Sequence, residues 1–335
     1  AIVIVAYTTL GGFLAASTTD FIQSIIMSVA LIVVLIFGVE TAGGIGAVIH
    51  NASELPGYLS MTLSYDVNTG KAAPYSALTI VSTAAWGLGY FGMPHILLRF
   101  MAIEDEKKLK LSRRVATIWV VISLFVAVFI GVIGYTMSKV GALEMLTGSN
   151  SETIIVKISA LLSQHGVIFA LLAGVILAGI LASTMSTSDS QLLAASSAVS
   201  SDLLGAFRKD SSNKNGSMAA ARITLLVISV VAAFIARNPD SSVFAIVSFA
   251  WAGFGAAFGP VVLFSLFWKR TNKWGALAGM VCGGSMVFIW KYLIRPLGGI
   301  WNIYELLPAF LIACAAIVIV SLLTCLLYTS PSPRD

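Results

Sequence analysis

Apolar runs of about 20 residues follow one another along most of the chain, and short polar segments separate them. A run of that length forms a helix that crosses a hydrocarbon core of about 30 Å. The runs are continuous rather than alternating, which favours membrane helices over the strands of a membrane barrel. The predicted spans, about nine in number, are Ala1–Ala16, Phe21–Val39, Tyr75–Phe100, Val115–Val140, Gly166–Leu204, Ala219–Ala236, Val243–Trp268, Gly275–Leu293 and Leu306–Leu327.

Composition agrees with this pattern, since 58% of the 335 residues are hydrophobic and only 10% are charged. Too few polar side chains remain to cover the surface of a soluble protein. We therefore predict an all-α polytopic membrane protein with a single transmembrane domain, residues 1–327, in a lipid bilayer. The net charge of +5 arises from short basic clusters between spans and does not indicate nucleic-acid binding.

The two ends of the chain differ from the rest in composition or in how they begin. The chain opens without Met inside an apolar helix, so we expect a further N-terminal portion. Residues 328–335 break abruptly in composition from the helix before them. This tail is either an exposed cytoplasmic end or a foreign extension, and no function is assigned to it.

Basic residues in three short loops predict how the chain is oriented in the membrane. The loops 104–114, 208–217 and 269–273 carry most of the lysines and arginines between spans, and an even number of predicted spans separates them. Short basic loops lie on the cytoplasmic side. All three are therefore predicted to be cytoplasmic, in a multi-pass protein of the cell membrane. The long opposite loop, Glu40–Pro74, is predicted to hold a short helix near Gly44–Ala52.

The fifth predicted span carries four hydroxyls on one helical face, because Ser183, Ser186, Thr187 and Ser190 stand at i, i+3, i+4 and i+7. Asp189 lies close to that face. A carboxylate at membrane depth costs roughly 2.5–3.5 kcal/mol, so it usually faces a partner, a cavity or an ion. The hydroxyls have two interpretations: they bond back to carbonyls one turn earlier, or they surround a hard cation that prefers oxygen ligands. The set with Asp189 favours an ion site.

Asp20 also has two interpretations. It follows Gly11-Gly12, which predicts a helix break, and the cluster Ser17-Thr18-Thr19, which is typical of a helix N-cap. Loop charges place it at the cytoplasmic end of the second span. If Asp20 instead faces Ser186, Asp189 and Ser190, the carboxylate and hydroxyls make a site for a monovalent cation.

The third span contains an interrupted aromatic segment. The stretch from Trp86 to His95 contains three glycines and a proline, which weaken helical hydrogen bonding. Such interruptions of a helix mark substrate sites in transporters. Trp86 and Tyr90 stand at i and i+4, share a face, and are predicted to wall an apolar or cationic ligand. Lipid-facing aromatics on a flexible helix are the alternative. A second small-residue stretch, Ser248–Pro260, predicts either close helix packing or a gate with a bend at Gly259-Pro260.

These motifs together resemble the sodium:solute symporters, most closely the members that carry proline. The stretches that carry the resemblance are Ala6–Phe13, Thr19–Gln23, Trp86–His95, Met185–Gln191 and Trp251–Pro260. The resemblance implies a partial leucine-transporter-type inverted-repeat fold. On that template, residues 1–39 end the first repeat, residues 75–268 form the second, and residues 275–327 are additional helices. The first helices of the core would be absent from this chain.

The resemblance also implies sodium as the coupling ion and a small amino acid, proline, as the solute. It implies a sodium site made by the Ser183 carbonyl and the hydroxyls of Ser186 and Thr187. The residues implied for a second cation position are Asp20, Ser186, Asp189 and Ser190. The residues implied for proline binding are Trp86, Tyr90 and Pro94, although Met93 stands where some proline carriers have Gln.

Three other functions remain open from the residues. Asp20 and Asp189 are candidates for an intramembrane aspartyl protease dyad sharing a proton. The hydroxyl face has no role in that chemistry, so we predict that the protein is not an enzyme. A sensor or channel with the same fold would bind sodium or ligand without concentrative uptake. A symporter of the same family for another organic solute would keep the ion site and change the pocket.

Overall fold

The computed structural model describes residues 2–66, 69–203, 214–236 and 242–324. By contacts the chain divides into two units, residues 1–73 with 103–240, and residues 74–102 with 241–335. Most of the predicted cytoplasmic loop 208–217, the ends of two predicted spans at Leu204 and Leu327, and the tail 328–335 lie outside the described residues.

The described part of the first unit contains long helices, short helices and a small hairpin. Its helices are α1 (Ile2–Thr41), α2 (Ile45–Ser53), α6 (Lys108–Lys139), α7 (Ile154–Ser163), α8 (Val167–Ser197) and α9 (Lys214–Ile235), and its strands are β1 (Leu63–Asp66) and β2 (Lys71–Pro74). α2 confirms the short helix predicted in the long loop. A π-helical turn, Ala198–Leu203, continues α8.

Besides short 3₁₀ and π segments, the described part of the second unit contains three short α-helices and three long ones. These are α3 (Ala77–Ala84), α4 (Trp86–Gly89), α5 (Pro94–Met101), α10 (Val243–Phe267), α11 (Lys273–Ile289) and α12 (Leu306–Leu323). Ser76, Ser242 and Asn272 cap α3, α10 and α11 by accepting a backbone N–H with their side chains. Such caps satisfy N–H groups that have no partner within the helix.

Among the residues that the structure describes, six helices are long and apolar enough to cross a membrane, which confirms a polytopic helical protein. They are Gly12–Thr41, Lys108–Lys139, Val167–Ser200, Val243–Phe267, Lys273–Leu297 and Leu306–Leu323. The other predicted spans take different forms among the described residues. The first is the part of α1 before Gly12, and the sixth includes the shorter apolar helix Ala219–Ile235. The count of nine stays a prediction.

The predicted third span is a broken helix. Regular α-helix stops at Gly89, the 3₁₀ turn Tyr90–Gly92 follows, and α5 begins at Pro94. Met93 between them is extended, with φ −82° and ψ 110°. Extended backbone is what a residue before proline favours. The predicted interruption is therefore confirmed.

α1 is interrupted at Gly12, where φ is +58° and ψ is −151°. Glycine adopts such a conformation at little cost because it lacks Cβ. The break predicted at Gly11-Gly12 is confirmed, whereas the predicted start of a new span at Phe21 is wrong. The helix resumes at once and continues without a second break to Thr41.

The N-cap interpretation of Asp20 is also wrong. The hydroxyls of Thr18 and Thr19 donate to the carbonyls of Leu14 and Ala15, each at 2.9 Å, as Thr residues do inside a helix. Asp20 follows them within the same helix. It lies more than two turns beyond the interruption and not at the end of a span.

Each unit has its own apolar core. In the first, residues of α1, α6, α7 and α8 form a buried cluster that includes Val34, Ile133, Ile158 and Ile176. In the second, small residues let α10 approach its neighbours. A Cβ atom built on Gly255 would lie 2.7 Å from the Gly89 Cα atom. Gly259 and Pro260 are buried inside a continuous α10, which supports the packing interpretation of this stretch.

Candidate functional site

The hydroxyl face of α8 gathers several oxygens into a small volume. The Ser186 hydroxyl donates to the Ser183 carbonyl oxygen at 3.0 Å, and the Thr187 hydroxyl donates to the same oxygen at 3.4 Å. The Ser190 hydroxyl donates to the Ser186 carbonyl at 3.0 Å. The back-bonding interpretation is thus observed. It does not exclude a cation, because a hydroxyl that donates its hydrogen still has lone pairs to offer.

Asp189 is the most buried member of this group, with none of its surface exposed. Its Oδ1 atom lies 3.3 Å from the Ser190 hydroxyl oxygen. Ser186 and Ser190 are half-buried, whereas Ser183 and Thr187 are exposed within the part of the chain that the structure describes. The face therefore grades from a buried carboxylate to open hydroxyls.

α1 and α8 pack against each other in opposite directions. The ring of Phe37, near the end of α1, lies 5.4 Å from the ring of His165, just before α8. Further along α8, Gly179 contacts α1 so closely that a Cβ atom on it would lie 2.7 Å from the Ala30 Cβ atom and 3.6 Å from the Met27 Cα atom. Later residues of α8 therefore face earlier residues of α1.

The register of this packing gives the level of Asp20 along α8. Asp20 lies seven residues before Met27, and Ser186 lies seven residues after Gly179. Seven residues are two turns, which return to the same face after a rise of about 10.5 Å. Because the helices are antiparallel, equal steps from their contact point bring Asp20 level with Ser186. This placement is compatible with the predicted cation site, and whether Asp20 faces Ser186, Asp189 and Ser190 stays a prediction.

Gln23 was not among the residues predicted from sequence, and it belongs to the same region. It lies seven residues before Ala30, so it shares the α1 face that contacts α8. Its side chain is 8% exposed, and its Oε1 atom has no hydrogen-bond partner among the described residues. A buried polar atom normally has one. The signal in the sequence was a second polar residue one turn after Asp20 in an apolar helix.

In the second unit, Trp86 lies inside an aromatic cluster. Its ring stacks with Phe244 at 5.7 Å, with Trp251 at 5.4 Å and with Tyr304 at 6.0 Å, and the ring planes differ by 15° or less. The Trp251 indole N–H donates to the Trp86 carbonyl oxygen at 2.9 Å. These partners come from α10 and from the segment before α12, so sequence reasoning about the third span alone did not find them.

Tyr90 and Pro94 lie on either side of the helix break. The Tyr90 ring meets the Trp251 ring edge-on at 4.8 Å, and half of the Tyr90 side chain is exposed. Pro94 is half-buried at the first turn of α5. Trp86 and Tyr90 thus share Trp251 as a neighbour, and Tyr90 presents an open aromatic face beside the unwound backbone.

Known proteins are similar to this chain over most of its length. The model of the sodium:solute symporter family matches residues 1–283. The osmoregulated proline transporter and the high-affinity proline transporter of Bacillus subtilis are 39% and 40% identical over 96% of this chain, which covers 62% and 64% of their lengths. The sodium/proline symporter of Escherichia coli is 37% identical over 95% of this chain and 60% of its own length. The chain thus spans about three fifths of the curated relatives it matches.

Gly89→Ala tests the aromatic cluster. A Cβ atom on Gly89 would overlap the Trp251 indole, which is too rigid and enclosed to give way. We expect this variant to lose stability by about 1–3 kcal/mol through overpacking and to lose part of its tryptophan near-UV circular dichroism. Gly87→Ala is the matched control, because its Cβ atom would meet open space. Thermal unfolding in detergent and near-UV spectra of both variants measure the effect, and equal behaviour would contradict it.

Proposed function

Because the chain belongs to the sodium:solute symporter family, we propose that it forms part of a sodium-coupled secondary active transporter that takes up L-proline. The names of its relatives support the solute. The observation that supports the proposal is the close packing of Gly179 of α8 on Ala30 and Met27 of α1. Two turns from this contact, Asp20 and the α8 hydroxyls would supply the negative charge and oxygen ligands that suit a small cation. An organic solute other than proline is the alternative.

The proposed architecture is a leucine-transporter-type fold in the cell membrane. Residues 1–39 end its first inverted repeat, residues 75–268 form the second, and residues 275–327 are additional helices. The loops 104–114, 208–217 and 269–273 face the cytoplasm. The broken helix at Tyr90–Pro94 supports this proposal, since discontinuous helices form the binding sites of inverted-repeat transporters.

Sodium binds at the oxygens of α8 in this proposal. The Ser183 carbonyl and the Ser186 and Thr187 hydroxyls are its ligands. Both hydroxyl oxygens lie close to the Ser183 carbonyl oxygen, at 3.0 and 3.4 Å, which supports their contribution to one site. A second cation position uses Asp20, Ser186, Asp189 and Ser190. Here the buried Asp189 carboxylate supplies the charge that neutral hydroxyls lack.

Proline binds at the interrupted helix in the second unit. The open ring of Tyr90 and the ring of Trp86 provide apolar surface for the pyrrolidine ring, and aromatic faces also attract its ammonium group. Pro94 sets where the helix resumes and so shapes the backbone beside the ligand. Met93, which precedes Pro94, is buried and adds an apolar side chain to this segment.

Coupling between the two ligands follows from linkage. If bound sodium raises the affinity for proline, bound proline raises the affinity for sodium by the same factor. A membrane potential of 100 mV contributes about 2.3 kcal/mol for each charge moved inward. Sodium entry thus supplies free energy for concentrating the solute.

Ser186→Ala combined with Thr187→Ala tests the ion site. Two oxygen ligands are lost while the apolar surroundings are kept, so the half-saturating sodium concentration for proline uptake should rise about tenfold, which is about 1.4 kcal/mol of cation binding. The measurement is uptake by the full-length protein in proteoliposomes at stepped sodium concentrations.

Ser188→Ala is the control for this experiment. Ser188 is also half-buried on α8 and its hydroxyl also bonds back, to the Thr184 carbonyl at 2.8 Å. It lies nine residues after Gly179, on the opposite side of the helix from the α1 contact. Proline uptake by the Ser188→Ala variant should depend on sodium in the same way as uptake by the wild type. An unchanged sodium dependence in the Ser186/Thr187 variant would remove the ion-site assignment.

Trp86→Ala tests the substrate site. Loss of the central ring of the aromatic cluster should raise the proline concentration for half-maximal uptake about tenfold, since cation–π and stacking contacts contribute on the order of 1–2 kcal/mol. Trp274→Ala is the control, because Trp274 is half-exposed on α11 and contacts Lys273 instead. The measurement is the proline affinity at saturating sodium. A normal affinity in the Trp86→Ala variant would contradict the assignment of Trp86 to the substrate site.

A further inference from the structure

Glu305 is a buried carboxylate with no role in the proposed ion or proline sites. Its side chain is 1% exposed, immediately before α12. Its Oε2 atom pairs with the Arg295 guanidinium at 2.9 Å, and its Oε1 atom lies 3.9 Å from the Lys291 ammonium. A buried carboxylate that loses its partner is strongly unfavourable, so this pairing holds the chain before α12 in one arrangement.

The cations of this cluster are fixed in turn by other residues. The Arg295 Nε atom donates to the Asn302 side-chain oxygen at 3.0 Å, and the Lys291 ammonium lies 3.9 Å from the centre of the Phe249 ring. The segment between α11 and α12 is thereby tied to itself and to α10. Glu305 is the point at which these contacts converge.

Tyr304, the neighbour of Glu305, is fixed both through its backbone and through its side chain. Its backbone N–H donates to the Ser82 hydroxyl oxygen at 3.1 Å, and its phenol donates to the Ser248 carbonyl oxygen at 2.6 Å. Burial, reinforced by the negative charge of Glu305 and partly opposed by Arg295, raises the pKa of Tyr304. The phenol therefore stays protonated and remains a donor at physiological pH.

The ring fixed in this way lies against the central tryptophan of the aromatic cluster. It stacks with Trp86 at 6.0 Å, with 15° between the planes. Phe244 and Trp251 are the other stacking partners of Trp86. Of the three, Tyr304 alone is adjacent in sequence to the buried charge cluster.

We propose that Tyr304 is a positioning residue for the substrate site: it sets the plane of Trp86, and the Glu305–Arg295 ion pair sets Tyr304. The inference rests on the proposed proline site and adds a specificity-determining element outside the interrupted helix. Tyr304 acts on solute affinity through Trp86. The ion pair serves this site by holding the segment between α11 and α12 in place.

The test compares Tyr304→Leu, Tyr304→Phe and Tyr292→Leu in the full-length protein. Tyr304→Leu removes the stacking ring and should raise the KM for proline about tenfold, with the maximal rate within about twofold, because an aromatic pair contributes a factor of this order. Tyr304→Phe keeps the ring and loses only the bond to Ser248, so its KM should rise no more than about threefold. Tyr292→Leu should match the wild type, since Tyr292 is exposed and contacts Phe249 rather than Trp86.

A spectroscopic readout separates positioning from general damage. The near-UV circular dichroism of the stacked Trp86 should weaken in Tyr304→Leu and be retained in Tyr304→Phe and Tyr292→Leu. Glu305→Gln should weaken the same signal and raise the KM, because the neutral amide no longer pairs with Arg295. An unchanged KM or an unchanged spectrum in Tyr304→Leu would overturn the proposal, as would equal losses in Tyr304→Leu and Tyr292→Leu.

The wild-type protein distinguishes this failure from failure of the proposed function. If the wild type shows no sodium-dependent proline uptake, the proposed function is wrong, and the role of Tyr304 in proline affinity falls with it. If the wild type transports proline and Tyr304→Leu keeps both its KM and its spectrum, only the positioning role is wrong.

Discussion

The close antiparallel packing of α8 on α1 is the contact on which the account of the ion site depends. Gly179 makes it possible, because any larger residue would push against Ala30. Asp20 lies two turns before this contact on α1, and Ser186 lies two turns after it on α8. Because the helices are antiparallel, the two residues lie at the same level along the pair, which is the placement that the proposed cation site requires.

The second unit achieves its geometry by a different device. Glycines at positions 89 and 255 let α4 and α10 approach until their backbones are in contact. Trp251 crosses to the Trp86 carbonyl and stabilises the last turn before the break. The aromatic cluster therefore stabilises the α4 side of the interruption, where Trp86 and Tyr90 both contact Trp251.

Much of this was predictable from sequence where the signal is local. Glycine and proline spacing predicted the break around Tyr90–Pro94, and Gly11-Gly12 predicted the break in α1. The same local logic failed at Asp20, because Ser-Thr clusters precede helix starts and also bond back inside helices. Gln23 and Tyr304 were missed since their importance depends on the register of packed helices and on long-range stacking, which no local pattern encodes.

The most direct test of the account is whether the buried face of α1 meets the hydroxyl face of α8. With the native cysteines replaced by serine, Gln23→Cys should form a Cd²⁺ bridge with Ser186→Cys, and sodium should slow its formation. Gln23→Cys paired with Ser188→Cys should form no bridge, because Ser188 lies on the other side of α8. The shift in electrophoretic mobility after Cd²⁺ titration measures bridging in both cysteine pairs. Efficient bridging of the 23/188 pair, or none of the 23/186 pair, would contradict the placement of the cation site between these helices.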